Sequence, residues 1–164
     1  SDQELYTIKH YYISVDKRNR VELLRKFSNI TDFRGLVFFN SLSDLGATEE
    51  RLQFNGSSAV SLASDINVKF RKVILEKFKN HEISLLLGTD LLARGIDIEN
   101  LEVVINFDIP RDREAYTHRS GRTGRMGNEG SVISLVTHPE DLKKLKKFAK
   151  VSELVLKNQE LHEK

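Results

Sequence analysis

The eight residues from His118 to Arg125, His-Arg-Ser-Gly-Arg-Thr-Gly-Arg, carry more chemical information than any other stretch of the chain. Arg119, Arg122 and Arg125 recur at every third position, and Gly121 and Gly124 keep bulk away from the backbone between them. A guanidinium holds its charge permanently and offers a rigid fork of N–H donors that matches phosphate oxygens two at a time. Aimed at a terminal phosphate, such a group neutralises charge that develops during phosphoryl transfer, an effect of roughly 10³ to 10⁵ in rate. Taken without its context, the same octapeptide is equally a solvated basic turn, since charge runs usually lie at surfaces.

A second constellation runs Gly88-Thr89-Asp90-Leu91-Leu92-Ala93-Arg94-Gly95-Ile96-Asp97. It places a hydroxyl, an arginine and two glycines within eight residues, which gives short-range donors and a backbone that a sugar–phosphate strand can approach closely. Asp97 is an acceptor able to take hydrogen bonds from the vicinal hydroxyls of a ribose, although a lone Asp beside a Gly more often serves a turn.

These residues need a scaffold, and length and patterning indicate which. The 164 residues suit one domain with a single substantial core. No apolar run approaches the roughly 20 residues that span a bilayer, no secretory leader is visible, and a soluble, cytoplasmic protein is expected. The absence of cysteine excludes disulfides and thiolate metal sites. His10, His81, His138 and His162 are scattered without metal-ligand spacing, and no metal is assigned. A net charge of +2 means that any polyanion site is a local cluster and not a global field.

Short segments rich in β-branched or aromatic residues, at 8–15, 35–39, 59–62, 83–87, 101–107 and 131–136, are predicted strands, several of them apolar on both faces. Between them lie helical spacings such as Val21, Leu24 and Phe27, then Phe70, Val73, Ile74 and Phe78, then Leu142, Leu145 and Phe148. The alternation predicts an α/β fold, an open parallel sheet with helices on both faces in three layers, built by right-handed crossovers. Ligands of such sheets bind beyond the carboxyl ends of the strands. Asn40, Ser41, Asp65, Gly88, Thr89, Asp90 and Asp108 all fall there. Residues 1–150 form the expected domain, with 151–164 as a short amphipathic tail or the start of an extension. The Lys143–Lys147 run is expected to be the solvated face of its helix.

The stretches 89–97 and 118–125 resemble motifs V and VI of the DEAD-box RNA helicases, and Leu36-Val37-Phe38-Phe39-Asn40-Ser41 is similar to their motif IV. The resemblance runs from about Ile8 to Ala149, and His118 at the head of motif VI matches the DEAD-box group, where related helicases tend to carry Gln. It implies a RecA-like fold, the second, carboxy-terminal domain of a two-domain ATP-dependent motor. It assigns Arg122 and Arg125 to the γ-phosphate of ATP, with Arg125 as the arginine finger, and Asp97, beside Gly95, to the ribose. His118 and Arg119 would contact the partner domain and couple nucleotide to RNA, while Ser41, Arg71, Gly88, Thr89 and Arg94 would line the RNA strand through phosphate and sugar. The implied partners are RNA and an N-terminal RecA-like domain that holds Mg²⁺, with this domain itself a monomer. Where the family shows His-Gly-Asp and a Gln three residues before the Arg, this chain has Ala63-Ser64-Asp65 and Val68, so an altered RNA affinity is expected.

None of the nine glycines precedes a lysine, and no Asp-Glu-Ala-Asp occurs, so the sequence provides one wall of an ATP site and neither the phosphate loop nor its acidic motif. Little ATPase activity is expected from the domain alone. Three alternatives stand beside this reading: an RNA-binding module without chemistry, an interaction domain whose arginines pair with acidic partners, and a DNA-directed motor of the same superfamily.

Overall fold

The sheet is organised around strands that are buried on both faces. The structure is a computed structural model that describes residues 8–62, 68–94, 98, 101–124 and 129–164. In chain order the elements are β1 (Ile8–Ser14), α1 (Arg20–Ser28, entered through a 3₁₀ turn Lys17–Asn19), β2 (Gly35–Phe38), α2 (Leu42–Phe54), β3 (Ala59–Ser61), α3 (Val68–Lys79), β4 (Leu85–Gly88), β5 (Val103–Asn106), α4 (Arg113–Ser120), β6 (Gly130–Val136), α5 (Pro139–Phe148), β7 (Ser152–Lys157) and β8 (Glu160–Glu163). The strands form one sheet in the order β3-β4-β2-β5-β6-β1-β7-β8. All pairings are parallel except the last, β7 with β8, which is antiparallel.

Every residue of β2 and β4 is buried, which explains why both read as unbroken apolar runs and not as alternations. Right-handed crossovers place α1 and α2 on one face and α3, α4 and α5 on the other, so the three-layer expectation holds. The predicted strand at 83–87 starts later, at Leu85, and the one at 101–107 is trimmed to Val103–Asn106, with Leu101 making an isolated bridge to Thr123. Helix α2 had no clear signature: its buried residues are only Leu45, Thr48 and Leu52, one of them polar.

Residues 152–163, anticipated as an amphipathic tail, add two strands to the sheet. Tyr11 and Tyr12 of β1 pair with Ser152 and Glu153, and Leu154 is buried. The hairpin turns through Asn158 and Gln159, both with positive φ (53° and 63°), the conformation that tight two-residue hairpins require. Gln is a poor advertisement for that turn, which is why it was hidden. The Lys143–Lys147 run lies as anticipated, with its four lysines exposed and Leu145 buried in the core. No described helix is long and apolar enough to cross a membrane.

Candidate functional site

At the carboxyl edge of the sheet the tips of β2, β4 and β5 converge on Arg119. This side chain is only 1% exposed and uses its whole donor fork. Nε and one terminal nitrogen donate to the two carboxylate oxygens of Asp90 at 2.8 and 2.9 Å. That same nitrogen donates to Asn40 Oδ1 at 2.6 Å, and the other donates to the Asp108 carbonyl at 3.0 Å and to Asn106 Oδ1 at 3.2 Å. Five bonds match the five N–H groups of a guanidinium. The cation also lies 5.2 Å from the centre of the Phe38 ring. A buried charge is tolerated only when its donors are satisfied in this way. The Arg119 guanidinium is thus fully bonded within its own domain, whereas His118, one position earlier on the helix, is exposed.

Helix α4 delivers these residues. Asp112 caps it, its Oδ1 accepting from the Ala115 backbone at 2.9 Å, and Arg113 ties it to the carbonyls of Lys147 and Phe148 on α5. Tyr116, fully buried one turn before Arg119, hydrogen bonds His10 Nδ1 on β1 at 2.7 Å. Burial pushes the Tyr116 phenol well above its ordinary range, so it is neutral when folded.

Three residues beyond the buried arginine, Arg122 is half-buried and opens onto a cavity of about 360 Å³. Arg94 and His118 share that cavity with Asp90, Asp112 and Glu114, and the buried Phe38 and Arg119 also line it. Arg122 donates to the Ala93 carbonyl at 2.8 Å, so its guanidinium is oriented by the turn that follows β4. Its backbone is held as well: the Arg122 carbonyl accepts from Leu101 N at 3.1 Å, and Thr123 Oγ1 donates to the Leu101 carbonyl. Gly124 has φ +70°, and at Gly130 a Cβ would overlap Thr123 Oγ1 and the Gly124 backbone, so both glycines are needed where β6 passes behind the arginine turn.

The residues expected to line RNA gather along the same edge. Gly88 stands opposite Phe38 in register, and its carbonyl accepts from Phe39 N at 2.9 Å. Ser41 caps α2, its hydroxyl accepting from Asp44 N at 3.1 Å, which leaves the hydroxyl proton to donate. Thr89 Oγ1 accepts from Leu92 N at 3.2 Å and braces the turn that carries the exposed Arg94. Arg71 on α3 is half-buried and donates to the Leu92 carbonyl at 3.4 Å, so it joins α3 to that turn. Gly95, Asp97 and Arg125 lie outside the described residues, as do Ala63, Ser64 and Asp65; Val68 opens α3 and is exposed.

Sequence reasoning missed two residues. Asn106 is fully buried and bridges Arg119 to Ser134 Oγ, to which it donates at 3.0 Å. Arg20 opens α1, is 8% exposed, and donates from one nitrogen to Asp108 Oδ1 and to the Phe107 carbonyl, both at 2.9 Å. A signal for Arg20 existed: it falls on the same helical stripe as Leu23, Leu24 and Phe27, all buried, where an arginine is out of place.

The helicase conserved C-terminal domain, as a sequence family, matches residues 18–127, about two thirds of the chain. The chain belongs to that family. This helicase domain is 43% identical over 122 residues to the Bacillus subtilis protein named "Probable ATP-dependent RNA helicase YfmL", covering 74% of the chain and 32% of the relative. It is 37% identical over 154 residues to the DEAD-box ATP-dependent RNA helicase CshC of Bacillus cereus, covering 94% and 39%. The domain thus spans 32% and 39% of the length of these relatives. Its fold matches the C-terminal domain of the DEAD-box protein Dbp5 with a TM-score of 0.77 at 25% identity, covering 90% of this chain and 89% of the other. The RecA-like fold and the DEAD-box type are thereby established for this domain.

Proposed function

We propose that the chain works as the second RecA-like domain of an ATP-dependent RNA helicase of the DEAD-box group, unwinding short RNA duplexes or remodelling RNA–protein assemblies by ATP-driven domain closure. One observation carries the reading: Arg94, His118 and Arg122, drawn from two motifs, are gathered on one cavity at the carboxyl edge of the sheet. The names of YfmL and CshC, both ATP-dependent RNA helicases, support the same assignment.

A phosphate-bearing nucleotide is supported by the Arg122 guanidinium at the cavity; of the three carboxylates there, Asp90 is paired with Arg119 and Asp112 caps α4. ATP, with Mg²⁺ held by an N-terminal RecA-like domain, supplies a terminal phosphoryl group whose hydrolysis resets the closed state. Arg122 and Arg125 stabilise charge on that group, with Arg125 as the finger, and Asp97 beside Gly95 holds the ribose. His118 docks on the N-terminal domain. Ser41, Arg71, Gly88, Thr89 and Arg94 grip phosphate and sugar, a mode that carries no base sequence, so RNA is told from DNA by its 2′-hydroxyls. The domain is monomeric, acts in the cytoplasm, and turns over little ATP alone.

The test joins this chain to an N-terminal helicase domain and measures RNA-stimulated ATP hydrolysis. Arg125→Ala and Arg122→Ala are each expected to lower turnover by about 10³ without unfolding the domain. Unchanged turnover in both removes the arginine roles. Equal stimulation by DNA reassigns the substrate, and tight, strongly salt-dependent RNA binding by the chain alone, without stimulated turnover after joining, makes it a binding module.

A further inference from the structure

We infer that Arg20, at the start of α1 on the opposite face of the sheet from α4, is a positioning residue for the arginine turn, acting through a continuous hydrogen-bonded relay Arg20–Asp108–Asn40–Arg119. The inference rests on the proposed role of Arg122.

The relay is fully described by distances. One Arg20 nitrogen donates to Asp108 Oδ1 at 2.9 Å; Asp108 Oδ2 accepts from Asn40 N at 2.9 Å; the Asp108 carbonyl accepts from Arg119 at 3.0 Å; Asn40 Oδ1 accepts from Arg119 at 2.6 Å. Asn40 Nδ2 donates to the Ile109 carbonyl at 3.0 Å and closes the loop after β5. Asp108 is thus gripped through its side chain from one face of the sheet and through its backbone from the other. Arg119 cannot shift without disturbing Asp108 or Asn40, and Arg122 follows Arg119 in the next turn, with Arg122 N donating to the Arg119 carbonyl at 3.3 Å.

Stability alone does not call for an arginine at position 20. Leu23, Leu24 and Phe27 continue the same buried stripe, and well-packed apolar residues in place of both members of a buried ion pair are often neutral or better for stability, so the Arg20–Asp108 pair is not needed for folding alone. The Arg20 guanidinium lies 3.9 Å from the centre of the Phe107 ring and is nearly desolvated, a costly arrangement that holds the tip of β5 at a defined height. What the pair adds is direction: one guanidinium nitrogen fixes both the Asp108 carboxylate and the Phe107 carbonyl, as an apolar side chain cannot.

The experiment uses the chain joined to an N-terminal helicase domain, with Arg20→Met and Arg20→Lys. Arg20→Met is expected to lower kcat for RNA-stimulated ATP hydrolysis about tenfold, with KM for ATP within about twofold, and Arg20→Lys to recover most of the loss. In an Arg122→Lys background, Arg20→Met should add little, because the group it positions is already altered. In the isolated chain, exchange of the Arg119 Nε proton with solvent should speed up at least about tenfold in Arg20→Met. Unchanged kcat, or a full tenfold loss that persists in the Arg122→Lys background, overturns the inference, as does unchanged proton exchange. Should Arg20→Met fail to fold, Asp108→Asn, which keeps the side-chain shape and removes its charge, must give the same pattern. If Arg122→Lys itself leaves turnover intact, the functional reading fails, while the exchange measurement still decides whether the relay exists.

Discussion

Arg119 and Arg122 sit one helical turn apart in one motif, and the fold gives them opposite surroundings. Arg119 is sealed among Asn40, Asp90, Asn106 and Asp108, with every donor spent inside the domain. Arg122 is half-buried at the mouth of a cavity and donates to the Ala93 carbonyl. The helix ends between them, at Ser120, with Gly121 as its cap. Up to that point the helix periodicity turns Tyr116 and Arg119 toward the sheet; beyond it the chain leaves the helix and places Arg122 at the cavity. One residue type thus ties the strand tips together and, three positions later, lines the cavity.

The contrast breaks most readily under substitution by methionine. Arg119→Met removes five donors, one of them from the buried Asn106, and is expected to cost about 3–5 kcal/mol of folding stability, whereas Arg122→Met should cost about 1 kcal/mol or less. Urea denaturation of the two variants measures the gap, and equal losses would show that the two arginines are not differently used. Gly130→Ala tests the support behind the cavity-facing arginine: its Cβ would press on Thr123 Oγ1 and the Gly124 backbone, and we expect a loss of about 1–3 kcal/mol, with NMR shifts at Thr123 and Gly124 and little change at Asn40. Shifts spread evenly over both regions would mean that the turn and the node move as one.

The smallest expected effect sharpens the buried side of the contrast. Tyr116→Phe removes the hydrogen bond to His10 and should cost about 0.5–1.5 kcal/mol at neutral pH. The folded phenol titrates above its ordinary value of 10.0 because burial favours the neutral form, so its contribution is full below that value and is lost as pH rises above it. The stability gap between wild type and Tyr116→Phe is therefore expected to narrow in alkaline solution. A gap that stays constant through pH 10.0 and above contradicts the buried setting of this helix face.

Much of the scaffold was legible because its signals are local. The runs 35–39 and 131–136 announce interior strands, Phe70 to Phe78 announces α3, and the turn residues after Phe39 and Leu87 mark the carboxyl edge where the site lies. Ser41, Gly88, Thr89, Arg94, His118 and Arg122 are all found at that edge. The hairpin at 152–163 escaped because its pairing partner is β1, some 140 residues earlier, and its turn lacks glycine.

Composition and spacing on their own determined that this chain is an alternating α/β domain and where its arginine- and glycine-rich stretches fall, because helix and strand periods, glycine placement and the arginine triplet are properties of neighbours along the chain. Only the tertiary structure decided how those arginines divide their work. Burial, and the supply of acceptors from Asn40, Asp90, Asn106 and Asp108, are contacts across the sheet, and they turn Arg119 and Arg20 inward while leaving Arg122 at the cavity. Charge at a position is written in the chain; whether that charge faces solvent or a ring of acceptors depends on which strand tips arrive beside it.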